Sequence, residues 1–358
     1  FFPSVSLGWN IAQEKFMEST QNWLGSLKIR ASYGMIGNQN VPAYSFIPTM
    51  AVNNKYNGWI SNGNYVTAIT SIPSLVSRNF TWEKVGTLDI GIDFSMFSNR
   101  FTGTFDWYQR NTNGMLAPGV QLPAVVGADA PYQNTADMRT RGWEVSLNWR
   151  DQIGKVGYRV GFNLSDSQSK IMKYNSNESG ILTSTLSNGS TFWNYYEGKD
   201  LGEIWGYVTD RFYTESDFNP DGTLKEGIPI PKGVDRVYPG DILYKNFDED
   251  KETIWSGNGT ADNPGDQRII GNSTPRFHYG INAGIRWKGL DISVFLRGVG
   301  KRDYWRTDQI AWPNGSWGSL FKETLDFWTP ENTDAFYPRV YANNAGNTDK
   351  NRWKQTKY

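Results

Sequence analysis

Three acidic residues at alternate positions, Asp248, Asp250 and Glu252, are the closest this sequence comes to a metal-binding pattern. Alternate spacing lets carboxylates converge on a hard cation such as Ca²⁺. Lys251 stands between two of them, and a solvated acidic turn accounts for the stretch better. With no cysteine and a single histidine, His278, the chain has no thiolate metal site, disulfide, cysteine nucleophile or histidine relay. His278 lies between Phe277 and Tyr279 and reads as a hydrogen-bonding strand residue. No G-x-S-x-G, phosphate-loop or dinucleotide glycine pattern accompanies it. Asp217 with Asp221 has the residue types of a glycosidase pair, but acidic pairs in loops are too common to carry that reading. Bond chemistry is therefore not expected, and neither is a resident cofactor. What remains is aromatic: 16 Trp and 15% aromatic residues. Sugars present C–H faces that stack on rings. Trp193, Tyr195, Tyr196, Trp205, Trp255, Trp312 and Trp317 are the ligand-contact candidates, with packing inside loops as the alternative role for each.

The elements that must position these residues are strands. Apolar and polar residues alternate in eight segments. The apolar members are Val5, Leu7, Trp9 and Ile11; then Leu27, Ile29, Ala31, Tyr33 and Met35; then Leu88, Ile90, Ile92, Phe94 and Met96. Phe101, Phe105 and Trp107 follow, then Trp143 to Trp149, Val156 to Leu164, Phe277 to Trp287 and Leu290 to Leu296. Each segment is about ten residues, enough for a tilted strand to cross a bilayer. Links between them alternate between short (97–100, 151–155, 288–289) and long, with the long loops at about 36–81, 111–140, 169–275 and 301–358. Short turns at one rim and long loops at the other characterise an outer-membrane barrel, and a two-layer β-sandwich has no reason to sort them so. The polar positions then line an aqueous interior: Arg30, Asp89, Asp93, Asp106, Arg110, Glu144, Arg150, Arg159, His278, Arg286 and Arg297. Mean hydropathy is −0.58 and no apolar run approaches a membrane helix. With 36 basic and 36 acidic residues, nothing suggests nucleic-acid binding.

Several segments carry longer motifs: Phe2-Pro3-Ser4-Val5-Ser6-Leu7-Gly8-Trp9-Asn10, Leu27 to Gly34 with Gly37-Asn38, and Thr81-Trp82-Glu83-Lys84 leading into Asp89 to Phe94. Asp106-Trp107-Tyr108 with Arg110, Gly142-Trp143-Glu144-Val145, Tyr238-Pro239-Gly240-Asp241-Ile242, Thr274 to Phe277 and Phe327-Trp328-Thr329-Pro330-Glu331-Asn332 follow. In these stretches, which run in family order, the chain resembles the SusC/RagA family of TonB-dependent outer-membrane transporters. The resemblance implies an all-β transmembrane antiparallel barrel segment, residues 1–358 forming part of a barrel of about twenty-two strands that surrounds a plug domain. On this reading the plug, the first strands and the last strands lie outside the piece. It further implies import of an oligosaccharide or peptide across the outer membrane of a Gram-negative bacterium, powered through TonB, with a SusD-like surface lipoprotein as a lid and pairing of two transporter–lid units. Family stretches matching Asp248 to Glu252 often resemble a calcium loop with a central glycine, whereas Thr253 stands where that glycine is expected. Two other readings compete: a surface carbohydrate-binding β-protein without transport, and an eight-stranded barrel in which the Phe2–Ile11 strand pairs with the Gly289–Gly300 strand.

Overall fold

The fold is taken from a computed structural model that describes residues 1–39, 44–50, 52–53, 60–61, 63–65, 69–70, 72–78, 80–120, 122–185, 191–247, 253–306, 322, 325–341, 351 and 353–356. Eight strands form one antiparallel sheet in chain order. They are β1 (Ser4–Asn10), β2 (Leu24–Asn38), β3 (Glu83–Met96), β4 (Phe101–Pro118), β5 (Tyr132–Ile153), β6 (Val156–Tyr174), β7 (Arg276–Trp287) and β8 (Leu290–Lys301). Each alternating segment of the sequence became one strand. Ile11, expected to end the first strand, instead opens a 3-10 turn, Ile11–Gln13. β1 and β8 lie at opposite edges of the sheet, so the self-closing eight-stranded barrel is not formed.

Several strands run well past their expected ends. β4 continues to Pro118 and β5 starts at Tyr132, so much of the segment expected as a loop over 111–140 is ladder. β2 likewise extends to Asn38 and β6 to Tyr174.

Register runs obliquely across the sheet. One row of partners joins Trp9, Ile29, Ile92, Phe105, Val145, Leu164, Tyr279 and Gly298. Trp9 stands next to the end of β1 at Asn10, while Gly298 is eight residues past Leu290, the start of β8. The short-turn rim thus recedes by about one residue per strand. With ~3.3 Å rise per residue and ~4.8 Å between strands this is a tilt of about 35°, the stagger a closed barrel requires.

The side chains divide by parity. Trp9, Ile29, Ile92, Phe105 and Val145 share one face with Leu7, Ile90, Trp107 and Trp143 in the next apolar row. This face is not a sealed core: Ile90 is 43% exposed and Ile92 36%.

Clustering of contacts separates a first unit (Phe1–Ser179, Asn194–Leu201, Arg276–Lys301), which holds the sheet, from a second (Gly180–Trp193, Gly202–Pro275, Arg302–Tyr358). The second unit has a real interior, built on short ribbons such as Thr209–Phe212 against Ile242–Tyr244. Tyr207, Ile242, Tyr244 and Ile254 pack together with Trp353, and Tyr213, Val237 and Leu243 form a neighbouring cluster. Buried acids tie these loops together. Asp241, 0% exposed, accepts hydrogen bonds from the Tyr341 hydroxyl at 2.6 Å, Asn351 Nδ2 at 2.9 Å and the Tyr238 N–H at 2.8 Å. Asp266, also 0% exposed, takes the N–H groups of Phe247 and Trp255. Gly240, at φ +89, leaves room for Trp328: a Cβ there would lie 2.3 Å from the indole. The Tyr238–Ile242 and Phe327–Asn332 motifs, distant in sequence, therefore meet at one point.

Two outcomes follow for the second unit. Gly240→Ala combines a left-handed backbone with a ring clash and is expected to cost roughly 2 kcal/mol or more, read as faster limited proteolysis of the loops with the sheet still protected. The pH response has two signs. Burial raises the Asp217 carboxyl, but the Arg211 guanidinium at 2.6 and 2.9 Å and the Thr214 N–H outweigh it and hold it below the ordinary 3.8. Its contribution is present above 3.8 and lost as pH falls through the lower folded value. Burial and the nearby Asp266 push Tyr207 up to about 12 from 10.0, so its contribution is full below 10 and lost as pH rises through about 12. Hydrogen exchange of the loops across pH checks both, and Asp217→Asn should flatten the acid limb.

Candidate polar face and aromatic cleft

All eleven charged or histidine residues expected to face water occupy one face of the sheet, opposite Ile90 and Ile92, as the register requires. One row joins Arg30, Gly91, Asp106, Glu144, Ser165 and His278. Asp93 and Arg297 lie on the row next to it toward the short turns, and Asp89 on the row toward the long links. Arg110 pairs with Thr87 and Thr140, and Arg150 with Arg159. Nearest the short turns, Arg286 bonds Asp291 at 2.9 Å.

The structure brings four of these into contact. Arg30 reaches Asp89 at 3.2 Å, Asp93 at 3.1 Å and Asp106 at 2.5 Å. Each nitrogen of the guanidinium fork thereby meets a different carboxylate, a geometry lysine cannot provide. Gly91 makes the crossing possible: a Cβ there would sit 2.4 Å from Asp106 Oδ1 and 2.6 Å from Arg30 Cζ. One positive against three negative groups leaves the cluster with a formal charge of −2. Arg159 extends over Gly284 and Arg150 donates to the Asn99 carbonyl at 3.2 Å, so the basic members nearer the short turns sit apart from the acidic group.

The aromatic candidates separate. Trp205 and Trp255 come together in a cleft of about 570 Å³ in the second unit, with Asp262, Asn263, Arg268 and Ile269. Trp205 is 7% exposed and donates Nε1–H to Glu203 at 3.2 Å, so it forms the floor. Trp255 is half-buried, with Lys232 Nζ 4.1 Å from its ring centroid. The cleft thus offers rings, a carboxylate, an amide and a guanidinium, which suits a polyhydroxylated or amide-bearing ligand. Tyr195 and Tyr196 lie in the first unit. Tyr195 is exposed and meets Tyr174 edge-on at 6.0 Å, whereas Tyr196 is 5% exposed. Trp193 ends the short strand Thr191–Trp193. Trp312, Trp317, Asp248, Asp250 and Glu252 lie outside the described residues.

Asp217 and Asp221 do not act as a pair. Asp217 holds Arg211, and Asp221 closes its own turn through the Thr223 N–H at 2.9 Å. Sequence reasoning missed the buried Asp241–Tyr341–Asn351 group and the bidentate pair of Asp166 with Arg276. Spacing carries no signal for either, because the partners are about a hundred residues apart.

A tilted antiparallel sheet with one apolar and one charged face is the architecture of a transmembrane β-barrel wall. The chain belongs to the TonB dependent receptor-like, beta-barrel family, whose model matches residues 1–358. It is 27% identical over 344 residues to TonB-dependent receptor P3 of Formosa agariphila, covering 95% of this chain and 32% of that one. It is also 27% identical to TonB-dependent receptor SusC of Bacteroides thetaiotaomicron, covering 83% of this chain and 27% of SusC. Among solved structures the fold matches the RagAB peptide importer in its open-open state with TM-score 0.68 at 21% identity, over 98% of this chain and 35% of that one. The chain spans about a third of the length of these relatives.

Arg30→Gln leaves three carboxylates facing one another and is expected to destabilise the sheet by about 1–3 kcal/mol, moderated by the partial exposure of the group. Adding Asp93→Asn should recover part of that loss. A double-mutant cycle in denaturant titrations reads the coupling, and strict additivity would show that the four side chains act independently.

Proposed function

We propose that this chain is barrel wall in an outer-membrane importer of the SusC/RagA type, which takes up oligosaccharides or peptides with energy delivered through TonB. The observation that carries the proposal is the division of the sheet: half-exposed Ile, Leu, Val and Trp on one side, eleven charged or histidine residues on the other. Lipid would cover the apolar side, since the six inner strands pair their backbone polar groups with a neighbour on each side and apolar side chains cost nothing in hydrocarbon. The charged side would face the barrel lumen, with the acidic Arg30 group and the arginines toward the short turns shaping the path once a plug moves. Short links would be periplasmic and long ones extracellular.

The Trp205–Trp255 cleft would contribute substrate contacts from an extracellular loop, and Tyr195, Trp193, Trp312 and Trp317 are separate candidates. A SusD-like lipoprotein would close over the long loops, and two such pairs would associate. Rings with mixed polar groups suit both sugars and peptides. Support for the partner comes from the relatives, one called SusC and one solved as RagAB.

The test uses the full-length transporter in its native membrane. It should need detergent for extraction and migrate faster in SDS before heating than after; recovery in the aqueous fraction would instead favour a surface carbohydrate-binding β-protein. Ile92→Arg, near the middle of the apolar band, is expected to cost about 2–4 kcal/mol of folding into lipid, while Asn163→Arg on the charged side should cost little. Uptake of labelled oligosaccharide or peptide should stop when the proton gradient is collapsed or the lid gene is deleted. Uptake that persists under both treatments would sink the importer reading.

A further inference from the structure

The apolar face ends before the strands do. On β5 its members run from Trp149 through Leu147 and Val145 to Trp143, and on β4 from Phe101 through Phe105 to Trp107. Trp107 and Trp143 are direct partners. Beyond this ring pair, toward the long links, the same face carries Gln109 opposite Arg141 and Asn111 opposite Arg139. The ladder keeps its register there as far as Thr112 opposite Met138.

The two arginines are held in an unusual way. Arg141 Nε donates to Gln109 Oε1 at 2.8 Å, and Arg139 Nε donates to Asn111 Oδ1 at 3.1 Å. Both acceptors are neutral, so the guanidinium charge is oriented without being cancelled. Among the described residues neither arginine lies within ion-pair distance of a carboxylate. The acids on this part of the face are otherwise engaged. Asp166 is bound by Arg276, Asp200 faces Lys170 at 4.0 Å, and Asp137 accepts the Gly114 N–H at 2.8 Å. Lys170 pairs across the ladder with Arg139 and Lys84 follows on β3, so the surroundings are also basic.

We infer that Arg139 and Arg141 form a binding site for the phosphate of a membrane lipid in the leaflet on the long-loop side. Each arginine is tethered at Nε, which leaves its two terminal nitrogens for phosphate oxygens, the planar fork that matches this group. Their place just past the Trp107–Trp143 pair is where a lipid's charged headgroup meets its acyl chains: aromatic rings mark that boundary and arginine stems lie along it. The site is on the outer wall, separate from the proposed translocation path. It rests on the membrane placement proposed above, which the SDS mobility of the same sample tests separately.

The experiment is native mass spectrometry of the full-length transporter in mild detergent, titrated with lipid A bearing a phosphate, with its dephosphorylated counterpart, and with inorganic phosphate. Phosphorylated lipid A should bind, and the dephosphorylated form should bind roughly tenfold more weakly. The double variant Arg139→Gln, Arg141→Gln should lose a similar factor, while Arg110→Gln on the opposite face should not. Equal binding of the two lipids overturns the inference, as does full retention by a double variant that keeps heat-modifiable mobility. Displacement of the lipid by inorganic phosphate at equal concentration would reassign the site to a free anion and overturn the lipid source. The comparison of the two lipids needs no variant, so it decides the question even where the arginine substitutions prevent folding.

Discussion

A strand in a barrel wall has to satisfy two solvents at once, and the whole first unit follows from that constraint. Backbone polar groups are consumed by the ladder, which leaves only side chains to negotiate with the surroundings. Alternate residues therefore sort themselves, greasy to one side and charged to the other, along eight successive antiparallel strands. No second layer is required for such a sheet to be folded, because its apolar face is satisfied by the medium. The tilt of about 35° comes from the same ladder, since the shear of one residue per strand is what bends a sheet toward closure.

Within that frame, charge is organised locally. Arg30 on β2 is shared among three aspartates on the next two strands, and the glycine between Asp89 and Asp93 opens the space in which it does so. The loops use another solution. Their interior is small, and two fully buried aspartates hold it by collecting backbone and side-chain donors from segments far apart in the chain. Burying a carboxylate is costly unless several donors surround it, which makes each of these acids a strong constraint on loop geometry.

Legibility in the sequence tracked the contrast between neighbouring residues. From Leu88 to Met96, or Trp143 to Trp149, every second side chain changes character, and both the strand and its faces could be read directly. The signal disappears past Trp107 and Trp143 because both faces there carry polar side chains: Gln109 and Asn111 on one side, Tyr108 and Arg110 on the other. The ladder persists while hydropathy ceases to alternate, so those strand ends were expected as loops. The ring candidates show the same limit. Nothing in the sequence distinguishes Trp255, beside a cleft, from Tyr196, buried in packing.

What the amino-acid sequence determined alone was the side to which each strand residue points, since that depends only on parity within a continuous run. It also determined the absence of thiol chemistry and the sorting of short from long links. Which residues touch was decided by tertiary structure: the register that set Arg30 among Asp89, Asp93 and Asp106, and the chain reversal that brought Tyr341 and Asn351 to Asp241. Parity is a local property of the backbone. Contact is a property of how distant segments are staggered and folded back, and only the assembled ladder and loop interior specify it.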